Sequence, residues 1–248
     1  MNIERSTISS MLNSATLELE KTNPDSPRLD AEILLSHVLE CPRLDLFLKG
    51  NQPLNGDQMV AYLELLQQRS SGCPVSYLTG EKEFWSFNLE VSKDTLIPRP
   101  DTETLVEYTV EQILKWQKTN EGKTCYIAEL GTGTAAIPLA LCAELKNLHI
   151  TSVDCSEQIL AIAARNIHCY KNLLTPRNNR LDLVQSYLFS AIDSPAKLDL
   201  IVSNPPYIPS DKIADLQTEV SQFEPESTGW GKGWTVFLSL SAWSAPVC

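Results

Sequence analysis

Apolar residues recur at helical spacing through the first third of the chain. Ser26 followed by Pro27 is typical of a helix start, because serine caps the first turn and proline is tolerated at its first position. The recurring positions are Ile8, Met11, Leu12, Ala15, Ala31, Leu34, Leu35, Val38, Leu39, Met59, Tyr62, Leu63 and Leu66, with Leu44, Phe47 and Leu48 in a shorter segment. We interpret residues 1–75 as a small helical bundle whose core takes nearly all of these positions.

The pattern changes between residues 76 and 100. Polar and apolar residues alternate from Phe84 to Val91, which predicts strand structure within a hairpin. The apolar side of this segment consists of Phe87, Leu89 and Val91. Pro98 and Pro100 then stiffen the chain, since proline has a fixed φ and no amide hydrogen. We expect 76–100 to be a hairpin and linker between two domains.

From residue 101 onward, short apolar runs alternate with helical patterns. The strand-like runs lie near 124–130, 148–154, 181–186 and 198–203. A helical pattern that includes Leu139, Ala140 and Ala143 follows the first run. Strands that alternate with helices favour an α/β fold with a doubly wound parallel sheet. We therefore assign residues 101–248 to one α/β domain.

A glycine turn joins the first of these strands to its helix. The turn reads Glu129, Leu130, Gly131, Thr132, Gly133, Thr134, Ala135 and Ala136. Gly131 and Gly133 permit a tight turn and a close approach of the backbone to a ligand, and the helix N-terminus adds unpaired N–H groups. A dinucleotide-binding turn would have a further glycine, whereas positions 135 and 136 are alanine. The turn thus predicts a ligand site and weakens the case for NAD.

The second strand ends in a carboxylate, Asp154, about 20 residues beyond the glycines. In doubly wound folds an acidic residue at this place hydrogen-bonds ribose hydroxyls, so Asp154 is our candidate ribose ligand. An ordinary alternative is that Asp154 caps the helix that begins near Ser156.

The fourth strand runs into Asn204, Pro205, Pro206 and Tyr207. The two prolines end strand pairing, which leaves backbone carbonyls free. The Asn204 amide and the Pro205 carbonyl can then converge on a planar NH2 group, against which the Tyr207 ring can stack. We interpret the tetrapeptide as a catalytic and substrate-binding edge. The alternative is a proline-terminated strand followed by an asparagine turn.

Together, the glycine turn, the acidic strand end and the tetrapeptide resemble a class I S-adenosylmethionine methyltransferase acting on a planar nitrogen. The segments Ser26 to Leu35, Gly80 to Phe87 and Leu96 to Glu107 closely resemble the HemK/PrmC family. Enzymes of that family methylate the glutamine of the Gly-Gly-Gln motif in class I peptide-chain release factors. The resemblance implies a Rossmann-like methyltransferase domain behind a substrate-docking helical domain.

The resemblance also implies the site residues. S-adenosylmethionine would be bound by Glu129, Gly131, Thr132, Gly133, Thr134, Ala135, Asp154, Leu188 and Asn204. For Leu188, an adenine-side contact and plain core packing are both open, and the segment from Pro98 to Glu103 could lie near the cofactor or serve as a hinge. Ala135 departs from the family, which usually has a third glycine, and its methyl could crowd the methionine moiety.

The charge balance narrows the choice of partner. The net charge is −11, with 20 basic and 31 acidic residues. Because phosphate contacts supply most of the affinity for nucleic acids, we expect no direct nucleic-acid binding and a basic protein partner instead. A nucleic-acid adenine or cytosine methyltransferase and a non-catalytic relative remain as alternatives.

Cysteine and histidine usage bears on the cellular setting. Seven cysteines without a C-x-x-C pair and three scattered histidines predict a reduced, cytoplasmic protein with no metal site. No apolar run is long enough for a membrane span.

The family pattern fails near the end of the chain. After about residue 227 the resemblance stops, whereas this fold normally has three more strands beyond the tetrapeptide. We therefore hypothesise a truncated or frame-shifted relative whose sheet is incomplete and whose 198–203 strand is an open edge. The alternative is a divergent tail in which 235–243 covers that edge.

Overall fold

The computed structural model describes residues 7–22, 25–192, 197–205 and 219–225. Among these, the residues up to Gly80 together with 219–223 form one compact unit, and the others form a second. Pro206, Tyr207 and the tail beyond residue 225 lie outside the described residues, and with them the hypothesis of an incomplete sheet.

The first unit is helical. Its helices are α1 Ile8–Leu19, α2 Pro27–Val38, α3 Arg43–Leu48, α4 Gly56–Ser70 and α5 Val75–Thr79, and a single π-helical turn spans Glu219–Phe223. Thr7 caps α1, and Asn55 forms a capping box with Gln58 at the start of α4. Ser26 is the N-cap residue of α2 with Pro27 in its first turn, as predicted, although the Ser26 hydroxyl donates to Asp30 instead of capping the backbone.

The prediction that nearly all apolar positions of this unit enter its core was wrong for α3. Leu44, Phe47 and Leu48 are 68%, 60% and 75% exposed, whereas Leu46 is buried. A six-residue helix makes fewer than two turns, so it buries one side only. On α4, Leu63 is also half exposed. The buried core consists of Ile8, Leu12, Ala15, Leu19, Ala31, Leu34, Leu35, Leu46, Leu54, Tyr62 and Leu66.

A hairpin opens the second unit. Strands β1 Glu81–Phe84 and β2 Phe87–Glu90 pair in antiparallel fashion around Trp85 and Ser86, whose φ angles are 51° and 66°. The predicted alternation from Phe84 to Val91 is therefore interrupted by a turn. A two-residue turn with both φ angles positive usually contains asparagine or glycine, so Trp-Ser gave no signal for it. The predicted inner side of β2 is confirmed, because Phe87, Leu89 and Val91 are buried.

The second unit is built on a parallel sheet of four described strands, in the order β5-β4-β3-β6. The strands are β3 Cys125–Leu130, β4 Leu148–Asp154, β5 Arg180–Gln185 and β6 Leu200–Ser203; the helices are α6 Asp101–Thr119, α7 Ala136–Glu144 and α8 Glu157–Cys169, followed by 3-10 turns at Lys171–Leu173 and Thr175–Arg177. The α/β fold class is confirmed. All four strands lie within two residues of their predicted positions, because short runs rich in apolar residues between helical patterns are typical of parallel strands.

None of the described helices combines the length and the apolar character needed to cross a membrane. Within the described ranges, no group of histidine, cysteine, aspartate and glutamate side chains could hold a metal ion. The six described cysteines are free thiols.

Candidate cofactor and acceptor site

Strand register brings the three predicted segments to one edge of the sheet. Leu130, the last residue of β3, pairs with Val153 on one side and with Ser203 on the other. The Ser203 hydroxyl also donates to the Leu130 carbonyl at 2.8 Å. The chain order reverses between β3 and β6, so this edge is the topological switch point where ligands bind in open α/β sheets.

The glycine turn follows β3 and is held by its neighbour β4. The Gly131 and Thr132 amides both donate to the Val153 carbonyl, at 2.9 and 3.1 Å. Gly131 and Gly133 have φ angles of 75° and 55°, in the left-handed region that favours glycine. Apart from the adjacent residues of the chain, no described atom lies within 4 Å of a Cβ built at either position. The turn therefore presents bare backbone to open space, where a ligand can approach it closely.

Ala135 occupies the position where the family resemblance leads one to expect glycine. It is fully buried, has a φ of 64° and directly precedes α7. A non-glycine residue in this conformation carries strain of about 1 kcal/mol. The requirement for glycine here is conformational; the predicted crowding of the methionine moiety by the Ala135 methyl stays a prediction.

Glu129 is the buried acidic residue of the turn. Its Oε2 accepts a hydrogen bond from the Thr132 hydroxyl at 2.7 Å, whereas no described group bonds its Oε1. Burial raises the pKa of Glu129 to about 7; the neighbouring Ser152 and Thr132 hydroxyls oppose this rise, and the Asp154 carboxylate adds to it. Glu129 thus keeps a buried acceptor atom available beside the glycines.

Asp154 ends β4 and contacts the same turn. Its Oδ2 accepts from the Gly133 amide at 3.3 Å and its Oδ1 from the Ser156 amide at 3.2 Å. The alternative interpretation, in which Asp154 caps α8, was wrong, because Ser156 is the N-cap residue and accepts from the Ile159 amide. Each carboxylate oxygen has a second lone pair, so Asp154 retains the capacity to accept hydroxyl donors.

Asn204 follows β6 at this edge. Its Nδ2 donates to the Thr102 hydroxyl of α6 at 2.9 Å. No described residue donates to its Oδ1. Pro205, the next residue, is buried. The structure thus brings Asn204 and Pro205 to the edge that carries the glycine turn.

Leu188 lies in the loop after β5. It is half-buried, its φ is 52°, and its carbonyl accepts from the Ser186 hydroxyl at 3.0 Å. Strained backbone of this kind concentrates at functional sites. Its contact with adenine stays a prediction.

Two supporting residues escaped the sequence interpretation. Thr102 binds Asn204, as described above. Asn166, a buried residue of α8, donates to the Thr134 carbonyl of the glycine turn and to the Glu90 carbonyl of the hairpin, both at 3.0 Å. It also accepts from the Glu90 amide at 2.8 Å. An asparagine within an amphipathic helix gave no signal for this role.

Comparison with known proteins identifies the chain. Residues 10–80 match the PrmC N-terminal domain and residues 111–220 match the methyltransferase small domain. The release factor glutamine methyltransferase of Rhodopirellula baltica is 36% identical over 219 residues, which are 88% of this chain and 72% of that protein. The chain belongs to the release factor glutamine methyltransferase family. The Salmonella typhimurium member is 45% identical over 82% of this chain and 68% of its own length. The Vibrio cholerae member is 38% identical over 89% of this chain and 72% of its own length.

As a member of this family, the chain is a methyltransferase that uses S-adenosylmethionine. The described residues fit this cofactor. The open backbone at Gly131 and Gly133 leaves room for it, and Glu129 Oε1 and the Asp154 carboxylate retain acceptor capacity for its amine and hydroxyl groups.

Proposed function

We propose that the chain methylates the side-chain amide nitrogen of the glutamine in the Gly-Gly-Gln motif of class I peptide-chain release factors. The observation that carries the proposal is the placement of Asn204, whose amide lies at the edge that holds the glycine turn and whose Nδ2 is engaged by Thr102. Family membership supports a release factor as the substrate.

The substrate amide needs placement more than it needs a base. Its nitrogen is a poor nucleophile because the lone pair is delocalised into the carbonyl. Asn204 Oδ1 and the Pro205 carbonyl accept its two hydrogens and aim the nitrogen at the methyl donor. Pro206 and Tyr207 complete the pocket, with the Tyr207 ring stacked on the amide plane. Such orientation lowers a barrier by several kcal/mol.

S-adenosylmethionine would supply an electrophilic methyl group on its sulfonium and would leave as the neutral thioether. Asp154 would accept hydrogen bonds from its ribose hydroxyls, and Leu188 would pack against its adenine. Its methionine moiety would be held by Glu129, Gly131, Thr132, Gly133, Thr134, Ala135 and Asn204. No general base is required, because the nitrogen proton becomes acidic only after the methyl has arrived and then passes to water.

The helical domain, which we place at 1–75, docks the release factor. The hairpin and linker at 76–100 connect it to the methyltransferase domain, 101–248. Leu44, Phe47 and Leu48 of α3 are exposed apolar side chains that support such docking, since exposed apolar patches often mark protein interaction sites.

Mass spectrometry tests the substrate. The protein is incubated with S-adenosylmethionine and a class I release factor, and the Gly-Gly-Gln peptide is examined for the mass of one added CH2 group. A release factor with glutamate in place of that glutamine is the control, because it lacks the amide nitrogen. Methyl groups on the control protein, or on nucleic acid in place of protein, would contradict the proposal.

The variant Asn204→Ala tests the site. We expect kcat to fall by about 10²- to 10³-fold, because the variant removes an orienting contact made in the transition state. The dissociation constant of S-adenosylmethionine should change little, since the glycine turn is intact. A variant that keeps more than about a tenth of the normal kcat would refute the assignment of Asn204.

A further inference from the structure

Thr102, in the first turn of α6, contacts Asn204. Thr102 is 9% exposed, and its Oγ1 accepts the hydrogen bond from Asn204 Nδ2 at 2.9 Å. The two residues are 102 positions apart in the sequence, so the contact joins α6 to the end of β6. The segment around Thr102 resembles the family, and from the sequence alone it is expected to be a hinge or a neighbour of the cofactor.

An asparagine amide can present either of two ends. Rotation by 180° about its last torsion exchanges the carbonyl oxygen and the NH2 group, which have nearly the same shape. The oxygen end would attract the NH2 group of a substrate amide, whereas the nitrogen end would meet it donor to donor. A catalytic Asn204 therefore needs a neighbour that decides which end faces the substrate.

We propose that Thr102 is this positioning residue. A hydroxyl can donate or accept, and in the structure the Thr102 Oγ1 accepts from Asn204 Nδ2, which leaves Oδ1 for the substrate amide. The inference rests on the proposed role of Asn204. Threonine suits the task because its branched Cβ restricts the side chain to few rotamers within a helix. Its burial limits competition from water for the same hydrogen bond.

The backbone of α6 fixes Thr102 in turn. Its amide donates to the Arg99 carbonyl at 3.0 Å within the Pro98–Pro100 segment. The two prolines have fixed φ angles, so the hydroxyl is held on a stiff support. This gives the proline-rich segment a role beyond that of a hinge.

Paired valine substitutions test the proposal. Thr102→Val keeps the shape of the side chain and removes the hydroxyl; we expect kcat to fall about tenfold, with little change in KM and in the cofactor dissociation constant. Thr102→Ser keeps the hydroxyl and should stay within about twofold of wild type. Thr109→Val is the matched control: Thr109 is a fully buried threonine of the same helix whose hydroxyl donates to the Leu105 carbonyl at 2.7 Å. It should lose stability but keep its kcat.

The outcomes separate this inference from the proposed function. If Asn204→Ala is inactive while Thr102→Val keeps its normal kcat, the positioning role is refuted and the proposed function stands. Equal losses of kcat in Thr102→Val and Thr109→Val would reduce Thr102 to a structural residue and overturn the inference. An active Asn204→Ala would overturn the assignment of Asn204 and, with it, this inference. Absence of methyl transfer to the release factor by the wild-type protein would overturn the proposed function itself. Should Thr102→Val fail to bind cofactor, Thr102→Ala supplies the same comparison.

Discussion

Glu129 is a carboxyl group enclosed by protein at the end of β3, with 1% of its surface exposed. Its pKa of about 7 lies above the ordinary value of 4.5 because burial penalises the charged form. The folded protein therefore binds this proton more tightly than the unfolded chain. The resulting stabilisation is fully present below pH 4.5 and is lost as the pH rises through 7.

The variant Glu129→Gln should abolish this dependence. Without cofactor, we expect the variant to be more stable than wild type at pH 8, by up to roughly 3 kcal/mol, and to gain much less at pH 4.5. Urea unfolding at the two pH values measures the effect. Glu111→Gln is the control, since Glu111 is 60% exposed and paired with Lys115. A gain that is equal at both pH values would contradict the raised pKa.

Asp154 should dominate the affinity for the cofactor. Asp154→Ala removes an acceptor of charge-assisted bonds to the ribose and also releases the Gly133 amide of the turn. We expect the dissociation constant of S-adenosylmethionine to rise about 10- to 100-fold, as measured by calorimetry. Ser156→Ala removes the cap of α8 without touching the carboxylate and should have a smaller effect. Unchanged affinity in Asp154→Ala would remove its assignment as the ribose ligand.

Residue types alone predicted the segments that meet at one edge of the sheet, but not the residues that support these segments. The glycines, Asp154 and Asn204 stand in short local motifs, so their placement at a strand end follows from the sequence. Thr102 and Asn166 act on partners 102 and 32 positions away. Such contacts depend on how helices pack against the sheet, and a buried threonine or asparagine has no local pattern that reveals its partner.

At the scale of elements, α8 connects the hairpin to the glycine turn through hydrogen bonds. Asn166 bonds Glu90 of β2 and Thr134 of the turn, while Arg165 pairs with the Glu90 carboxylate at 2.8 Å on the surface. Tyr170 adds bonds to the backbone of Asn88 on the same strand. The hairpin thus supports the glycine turn through α8.

Asn166 and Arg165, which are neighbours on α8, should contribute unequally to the free energy of unfolding. Asn166→Ala leaves buried backbone groups of Glu90 and Thr134 without partners, so we expect a loss of about 2–3 kcal/mol in the free energy of unfolding. Arg165→Ala should cost less than about 1 kcal/mol, because its ion pair is exposed to water. Chemical denaturation measures both variants. Equal losses of free energy of unfolding in the two variants would show that burial does not decide the strength of these contacts.

Helices and strands were predictable from the sequence where the spacing of their apolar residues matches the side that is buried in the structure. The four sheet strands are short runs that contain buried or half-buried apolar residues, and they were placed to within two residues. Two places failed for different reasons. The α3 helix has apolar residues on every side, so periodicity could not distinguish the buried Leu46 from its exposed neighbours. Trp85 and Ser86 form a turn that their chemistry does not favour, which shows that pairing of the two strands overrides the local preference.

At the scale of the whole molecule, one buried arginine joins distant parts of the chain. Arg69 is 4% exposed and pairs with Asp30 at 2.7 Å and with Glu219 at 2.5 Å, 150 positions later in the sequence. It also donates to the Cys73 carbonyl at 3.1 Å. The Glu219–Phe223 turn thereby belongs to the helical unit.

Removal of this arginine should be costly. Arg69→Met leaves two carboxylates without their shared cation, and we expect the free energy of unfolding to fall by about 3 kcal/mol or more. Lys115→Met is the control, because its pair with Glu111 is more than half exposed and should contribute less than about 1 kcal/mol. Thermal and urea unfolding compare the two variants. A small loss in Arg69→Met would mean that the carboxylates are well hydrated in the folded protein.

The pairing of β6 with β3 has a consequence for how this enzyme can vary over evolution. Side chains along a strand point alternately to opposite faces, so the proposed placement of Asn204 at the acceptor pocket depends on an unchanged register between β6 and β3. A single residue inserted in β6 would turn the amide to the other face, unless a β-bulge absorbed the extra residue. Length changes by two preserve the orientation, so lineages can lengthen or shorten this strand more readily in even steps than in odd ones.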